Sequence, residues 1–536
     1  MRRKRSVVAA HRYPPLRLAA YTLLLTLCAG QVAPSNPFEG VPIYVLEVNL
    51  PDRSAADQLS AAGLIIDDVR TLTAEVYATP EQRTWLDTHS FTYRVIGQQP
   101  TPPPRPPKAG PAYHTYATLT TELQAQAAAY PEICRFSTLG QSVQGRELWA
   151  LKITDNPDVE EDEPEFKYLA TMHGDEPVGT ETCMFLINRL LTDYGTDPRI
   201  TDLINETEIW FVPLMNPDGL EIGWRFNANT LDLNRTFPAF PDDFAGTLFD
   251  GEPLGDAGRP PEVGHVMRWT ADHTFVLSAN FHTGALVVNY PYDDDGKPSG
   301  VNSPTPDDAL FRETSHRYAV LNTPMFNNPA FPGGITNGAV WFVVTGGMQD
   351  WNYRFVGCNE VTIELSNVKR PDPSLIPSLW ADNEEAMLTY LEQVHIGIRG
   401  LVTDAQTGAP IYAKVLAAGN PHPVFTDPQV GDYQRMLLPG TYALTISAPG
   451  YTTQMVADIP VADGPATRVD VTLELFPPSD ADVNNDGFTD AVDVQLVINS
   501  ALGIPATCAC DLDGNGVAAT DVQTVINAAL GQTSIL

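Results

Sequence analysis

Basic residues are scarce in this chain. Its 536 residues hold 32 Lys and Arg against 66 Asp and Glu, a formal charge of −34. So acidic a surface repels nucleic acid and anionic lipid and favours cations, which argues against nucleic-acid binding. Cysteine is scarce too. Six in all are too few and too scattered for a disulfide-stapled scaffold, and Cys508-Ala-Cys510 lacks the second pair that a structural zinc site needs, so it reads as a loop. Past the N-terminus, no window is long and apolar enough to span a bilayer. What is present is ordinary globular composition, 43% hydrophobic, in a length that predicts about three or four domains.

The N-terminus carries Arg2, Arg3, Lys4, Arg5, Arg12 and Arg17, then an apolar stretch from Leu18 and small residues, with no acid before Glu39. This is the layout of a cleaved secretory signal over residues 1–35. Leu27 is bulky where a lipoprotein signal needs a small residue before Cys28. Loss of the six basic residues would deepen the charge from −34 to −40.

Residues 40–98 alternate as βαββαβ: strand from Ile43, helix to Ala62, strands at 64–69 and 72–78, helix 80–88, strand 91–96. A proline-rich linker follows at 99–111, with Arg105 and Lys108 open to proteases. From 112 to 394, apolar strands alternate with helical stretches, which implies an α/β domain with a buried central sheet. Residues 395–476 turn to short strands and Gly/Pro turns, a small β-sandwich. Residues 479–534 contain a repeat: Asp493 to Gly503 matches Asp521 to Gly531 at nine of eleven positions, with a spacing of 28, and each copy is a loop feeding a short helix.

The chemistry lies in the α/β domain. His173-Gly-Asp-Glu176 follows one apolar strand, and a second delivers His282. Two His and one carboxylate can bind zinc with a fourth position open, the arrangement of a hydrolytic site. Taken alone, the short pair fits a surface turn equally well. Around it stand Asn216-Pro-Asp-Gly219, Asp232-Leu-Asn-Arg235, Asn289-Tyr-Pro-Tyr-Asp293, Gly346-Gly-Met-Gln-Asp350 and Val361-Thr-Ile-Glu-Leu365. In this order they resemble the zinc metallocarboxypeptidases, specifically the carboxypeptidase E/N/D regulatory branch. The sandwich, with Gly431-Asp-Tyr433 and Pro439-Gly-Thr-Tyr442, resembles that branch's transthyretin-like domain.

The resemblance implies a mixed central sheet with flanking helices and assigns roles. His173, Glu176 and His282 match the zinc ligands, and Glu364 the general base. Arg225 matches the oxyanion-stabilising arginine, while Asn234 and Arg235 match the clamp on the substrate's terminal carboxylate. Asp293 and Gln349 match the pocket for a basic C-terminal side chain, so release of Arg or Lys is expected; Asp293 facing solvent in its acidic run is the competing reading. Phe342 stands where the family has a tyrosine in the mobile loop, which removes one hydrogen-bond donor and predicts weaker binding or slower turnover. The N-terminal unit resembles the pro-domains of secreted carboxypeptidases in element order only. Inhibitory and plain accessory roles both stay open for it.

In the tail, Asp482, Asn484, Asp486, Asp490 and Asp493 fall at positions 1, 3, 5, 9 and 12 of an EF-hand-like loop, with the Phe488 carbonyl at position 7. Asp511, Asp513 and Asn515 open a second loop in which Asp521 falls at position 11. The pair resembles a type I dockerin, which implies calcium, a cohesin-type partner and an extracellular bacterial location, at the cell surface if the tail is attached. Two further readings remain: a non-catalytic peptide-binding scaffold of the same fold, and an enzyme trimming cell-wall peptides. Calcium titration of the isolated tail should raise its helical circular dichroism; no gain in structure removes the dockerin reading.

Overall fold

The computed structural model describes residues 42–99, 113–475, 481–484, 489–506, 508, 510–512 and 516–529. The signal segment and the proline-rich linker lie outside the described residues. Among the described residues, no helix is long and apolar enough to cross a membrane.

The N-terminal unit is a four-stranded antiparallel sheet: β1 (Ile43–Asn49), β2 (Ile65–Arg70), β3 (Thr73–Ala78) and β4 (Tyr93–Gln99), in the order β2-β3-β1-β4. Two helices cover it, Ala55–Ala61 and Pro80–Thr88. The second starts where predicted because Thr79 and Gln82 form a reciprocal capping box ahead of Pro80. The β2–β3 ladder slips between Ile66 and Asp68, so Asp67 is the extra residue of a bulge, a device that re-aims a side chain.

The α/β domain has eight strands: β5 (Cys134–Gln141), β6 (Glu147–Ile153), β7 (Glu165–Ala170), β8 (Glu208–Val212), β9 (Phe275–His282), β10 (Leu286–Tyr290), β11 (Ile335–Asn337) and β12 (Asn359–Leu365), in the order β11-β10-β12-β9-β7-β8-β6-β5. The central strands β8, β7, β9 and β12 run parallel, and the outer ladders β10–β12, β6–β8 and β5–β6 are antiparallel. The mixed α/β sheet expected from the sequence is thus present. β7 and β9 are buried along their whole length, as strands covered on both faces must be. Helices Val178–Asp193 and Ile376–Glu392 supply Leu186, Ile187, Leu190, Met387 and Leu391 to one core. Two buried charges in the middle of the sheet are well partnered: Lys167, 0% exposed, donates to Thr270 and Asn352, and Glu360 accepts from Ser278, Asn280 and Asn352.

The β-sandwich pairs β13 (Ile398–Asp404) with β16 (Asp432–Arg435), β19 (Thr467–Arg468) and β20 (Val471–Leu473). Its second sheet is β15 (Pro423–Phe425), β14 (Lys414–Ala417), β17 (Gly440–Ser447) and β18 (Gln454–Val461). The sequence pattern predicts strands here at 396–403, 413–418, 433–438, 442–447 and 468–475, but neither β15 nor β18. β18 is an edge strand, largely exposed, with Met455 at 72% exposure, so its hydrophobic alternation is weak. Arg435 crosses from the sandwich to the α/β domain, where its guanidinium lies 2.7 Å from Asp307 with both side chains buried. Tyr353 and Asn420 also donate to Asp307.

The tail has helices Ala491–Ala501 and Ala519–Ala529. Cys508 and Cys510, in the segment read as a loop, are joined as a disulfide.

Deleting one member of a buried ion pair strands the other. Arg435→Ala should therefore lower stability by about 3–5 kcal/mol, read as lower Tm and urea midpoint; a loss under about 1 kcal/mol would show that Asp307 does not depend on Arg435.

Candidate active site

The cavity sits at the C-terminal ends of the parallel strands, where open α/β sheets place their ligands. β7 ends three residues before His173, and β9 ends on His282 itself. The next strand, β12, pairs Glu364 in register with His282, so the sheet alone sets this carboxylate beside that imidazole. Tight backbone packing fixes the turn at His173: a Cβ on Gly174 would lie 2.1 Å from the Gly219 carbonyl carbon. The Asn216 amide ties the segment together, donating to the carbonyls of Met172 and Arg225.

His173, Glu176 and His282 are all buried, and each offers a ligand atom within 4.8 Å of the others. Nδ1 of His173 is 3.1 Å from Glu176 Oε1, and Nδ1 of His282 is 3.0 Å from Glu176 Oε2. The two Nδ1 atoms are 3.0 Å apart. Burial would raise the Glu176 pKa, but the two imidazoles outweigh it and hold the carboxylate well below its usual range. The outer nitrogen of His173, Nε2, faces Asp232 Oδ1 at 3.0 Å, a carboxylate–histidine arrangement that fixes ring orientation and raises ligand basicity. Two imidazoles and one carboxylate, buried and close, with one ring braced from behind, fit zinc.

Glu364 lines the same cavity. One of its oxygens, Oε2, is shielded from solvent with no hydrogen-bond partner. Burial, then the negative charges of Glu176, Asp67 and Asp68, push its pKa well above the carboxylate range.

Arg225 is 2% exposed. Its Nε donates to Asp232 Oδ2 at 2.9 Å and its Nη1 to Glu176 Oε1 at 3.3 Å. Nη1 also donates to Asp67, the bulged residue of the N-terminal unit, and Lys369 pairs with the same carboxylate. Arg235 Nη2 donates to the carbonyl of Ile66 at 2.7 Å. Two neighbouring residues of β2 thus occupy both arginines that the family pattern assigns to substrate. Further anchors surround them: Arg53 donates to the carbonyls of Val340 and Trp341, Trp341 Nε1 to the carbonyl of Val69, and Ser299 to Asp57. Phe342, Trp341 and Val344 share a hydrophobic core with Leu46, Val48 and Val76. The sequence had assigned no site role to Asp67, Asp68, Asp232 or Lys369; only Asp232, inside its Asp-Leu-Asn-Arg motif, carried a local signal.

Asp293 is buried, 3% exposed, and lines the cavity, so it does not face solvent. Asn289 donates to its Oδ1 at 3.0 Å, and a Cβ on Gly338 would lie 1.8 Å from that oxygen. Burial and the nearby Asp350 push its pKa well up. Asn234, Arg235 and Phe342 also line the cavity. Gln349 departs from expectation: it is 1% exposed in the turn Met348–Trp351 and its side chain stays outside the cavity lining, with neither amide atom bonded.

In the tail, Asp486, Phe488, Asp513 and Asn515 lie outside the described residues. Asp493 is buried and accepts from the backbone of Val483, Asn484 and Asp490. Asp521 does the same for Leu512 and Ala518, so the two copies close their loops alike. Asp482 is buried, Asn484 and Asp490 stand at the first loop, and Asp511 at the second.

A family profile described as zinc carboxypeptidase matches residues 119–386. The chain belongs to this family. A second profile, carboxypeptidase regulatory-like domain, matches residues 397–474. This chain is 42% identical over 394 residues to carboxypeptidase D of Mus musculus, covering 70% of this chain and 28% of that protein. It is 38% identical over 395 residues to the carboxypeptidase N catalytic chain of Mus musculus, covering 68% and 86%. The chain thus spans little more than a quarter of the length of the carboxypeptidase D relatives. Its fold is similar to that of carboxypeptidase A from Helicoverpa armigera, with a TM-score of 0.50 and 18% identity, covering 65% of this chain and 96% of that one.

Because Asp232 braces His173 from behind, Asp232→Asn should weaken zinc affinity about 10–100-fold in competition with a chromogenic chelator. Unchanged affinity would remove Asp232 from the metal's support.

Proposed function

We propose that this chain is a zinc carboxypeptidase that releases C-terminal Arg or Lys from peptides and is held latent by its N-terminal unit. The observation that carries the chemistry is the convergence of His173, Glu176 and His282, with Glu364 and Arg225 on the same cavity. Zinc bound by the three ligands would supply Lewis acidity toward the scissile carbonyl and the attacking water. Glu364, on the same cavity beside His282, would act as the base that takes the proton of that water and returns it to the leaving amine. Arg225 is placed to receive negative charge on the carbonyl oxygen. Arg235 and Asn234 would hold the terminal carboxylate, which confines the reaction to chain ends. A Lys or Arg side chain entering beside buried Asp293 would pair a carboxylate that otherwise lacks a cation of its own, whereas an apolar side chain would leave it stranded.

Latency is supported by the same atoms. While Asp67 and the Ile66 carbonyl hold Arg225 and Arg235, neither arginine is free for substrate. For the tail, calcium binding and attachment to a cohesin-type partner remain our reading of the loop spacing, as does secretion of the mature protein.

The test compares acyl-dipeptides ending in Arg and in Phe, before and after the 99–111 linker is cut and the N-terminal unit separated. Chelator-sensitive release of Arg should exceed that of Phe by at least about tenfold and rise on separation, and Glu364→Gln should abolish it. Preference for Phe would sink the specificity, equal rates before and after would sink latency, and no activity in either form would sink the enzyme reading.

A further inference from the structure

A second cluster of acids lies at the opposite end of the sheet, where strands β7 and β8 begin. Their first residues, Glu165 and Glu208, pair in register and are 3% and 1% exposed. Loop 154–164, which leads into β7, carries six further acids, Glu160 among them. From the sandwich comes Asp427, 4% exposed, between β15 and β16. Glu160, Glu165 and Asp427 each offer a carboxylate oxygen within 4.8 Å of the others.

Carboxylates so close, two of them withdrawn from water, repel one another unless a cation or protons intervene. The basic groups nearby are already engaged. Lys152 Nζ lies 2.5 Å from Glu208, and Arg399 and Arg468 both hold Asp162 at 2.7 Å. Asp427 Oδ1 accepts only from the backbone of its own turn, at Gln429 and Val430. Glu165 Oε1 accepts from Thr274 N at 2.9 Å. Its other oxygen, Oε2, is shielded from solvent without any hydrogen-bond partner, a costly state for a carboxylate. The crowding is also visible in proton affinity. Burial, then Glu160 and Glu208, push Glu165 well above the carboxylate range; burial, then Glu208, push Glu160 up to about 7.

We propose that Glu160, Glu165 and Asp427 form a binding site for a hard divalent cation of the calcium class, clasping the sandwich to the catalytic domain. The donors are all carboxylate oxygens, which suit calcium rather than the softer metals that favour nitrogen and sulfur. Loop 154–164 is half-exposed at Glu160, which leaves room for water to complete the shell. The neighbouring set Asp155, Glu161 and Glu163 is half-exposed throughout and two of its members already accept from Asn156 and Thr154; Asp155 Oδ1 is shielded without a partner, but none of the three carboxylates is withdrawn from water as Glu165 and Asp427 are.

The experiment uses the zinc-loaded full chain with Tb3+ and Ca2+ as probes. The Trp210 ring lies 5.5 Å from Lys152 Nζ, which itself pairs with Glu208, so an antenna for terbium stands close to the site. Residues 476–536 contain neither Trp nor Tyr, which keeps the tail loops poorly sensitised. Tryptophan-sensitised terbium emission should appear, be displaced by Ca2+, and fall at least about tenfold in Glu160→Gln/Asp427→Asn, where the charge count of the ligands drops. The variant should also show a smaller Ca2+-induced rise in Tm than the parent, the remainder being what the tail loops contribute, while its Tm in calcium-free buffer is no lower. Glu160→Gln alone, a change at a half-exposed loop position, is the version least able to disturb folding and should show the same direction. Undiminished emission and Tm shift in the variants would overturn the proposal, as would a parent that responds to neither ion.

Discussion

Asp232 holds two groups at once, and the active centre depends on it. One oxygen faces the outer nitrogen of His173 and the other accepts from Arg225, so the His173 ring and the Arg225 guanidinium share one carboxylate. Arg225 in turn reaches Glu176. A buried charge without a partner costs several kcal/mol, and here each buried charge is the partner of the next. Burial would raise the pKa of Asp232, but Arg225 and His173 hold it well below its usual range, so the brace stays ionised at neutral pH. Loss of any member leaves at least two others short of a partner.

The N-terminal unit joins this chain of charges through a single irregularity. A regular β2 would alternate its side chains between faces. The slipped register at Asp67 instead places a carboxylate between Arg225 and Lys369, and for Asp67 these two cations outweigh burial and keep its pKa low. The same unit buries Trp341, Phe342 and Val344 of the cavity rim in its own core. Electrostatic capture and hydrophobic cover therefore act on one surface.

Much of this was legible in the sequence. The motifs place His173, Glu176, His282, Glu364, Arg225 and Asp293 without coordinates because each sits at a strand end or tight turn, where spacing along the chain maps onto spacing in the fold. The order βαββαβ was readable because its strands alternate cleanly and Thr79 and Gln82 mark a helix start. What stayed hidden depends on distant pieces meeting. Asp67 is an acid in an acidic strand until Arg225, far along the chain, comes to face it. Asp232 looks like part of a motif until its two oxygens are seen to serve different partners. β18 escaped notice because an exposed edge strand has little hydrophobic pattern to show, and the burial of Gln349 outside the cavity lining reflects how its short helix packs, which spacing does not encode.

The core that the N-terminal unit shares with Trp341, Phe342 and Val344 bears on the proposed latency. Cutting the linker severs the chain but leaves Leu46, Val48, Val76, Trp341 and Phe342 packed together. Before the cut, the two parts face each other at the high effective concentration that a tether imposes; afterwards they are two molecules in equilibrium. Under the proposed latency, a nicked protein would then behave as an enzyme with a tight inhibitor of its own making, and its output would depend on dilution as much as on the protease.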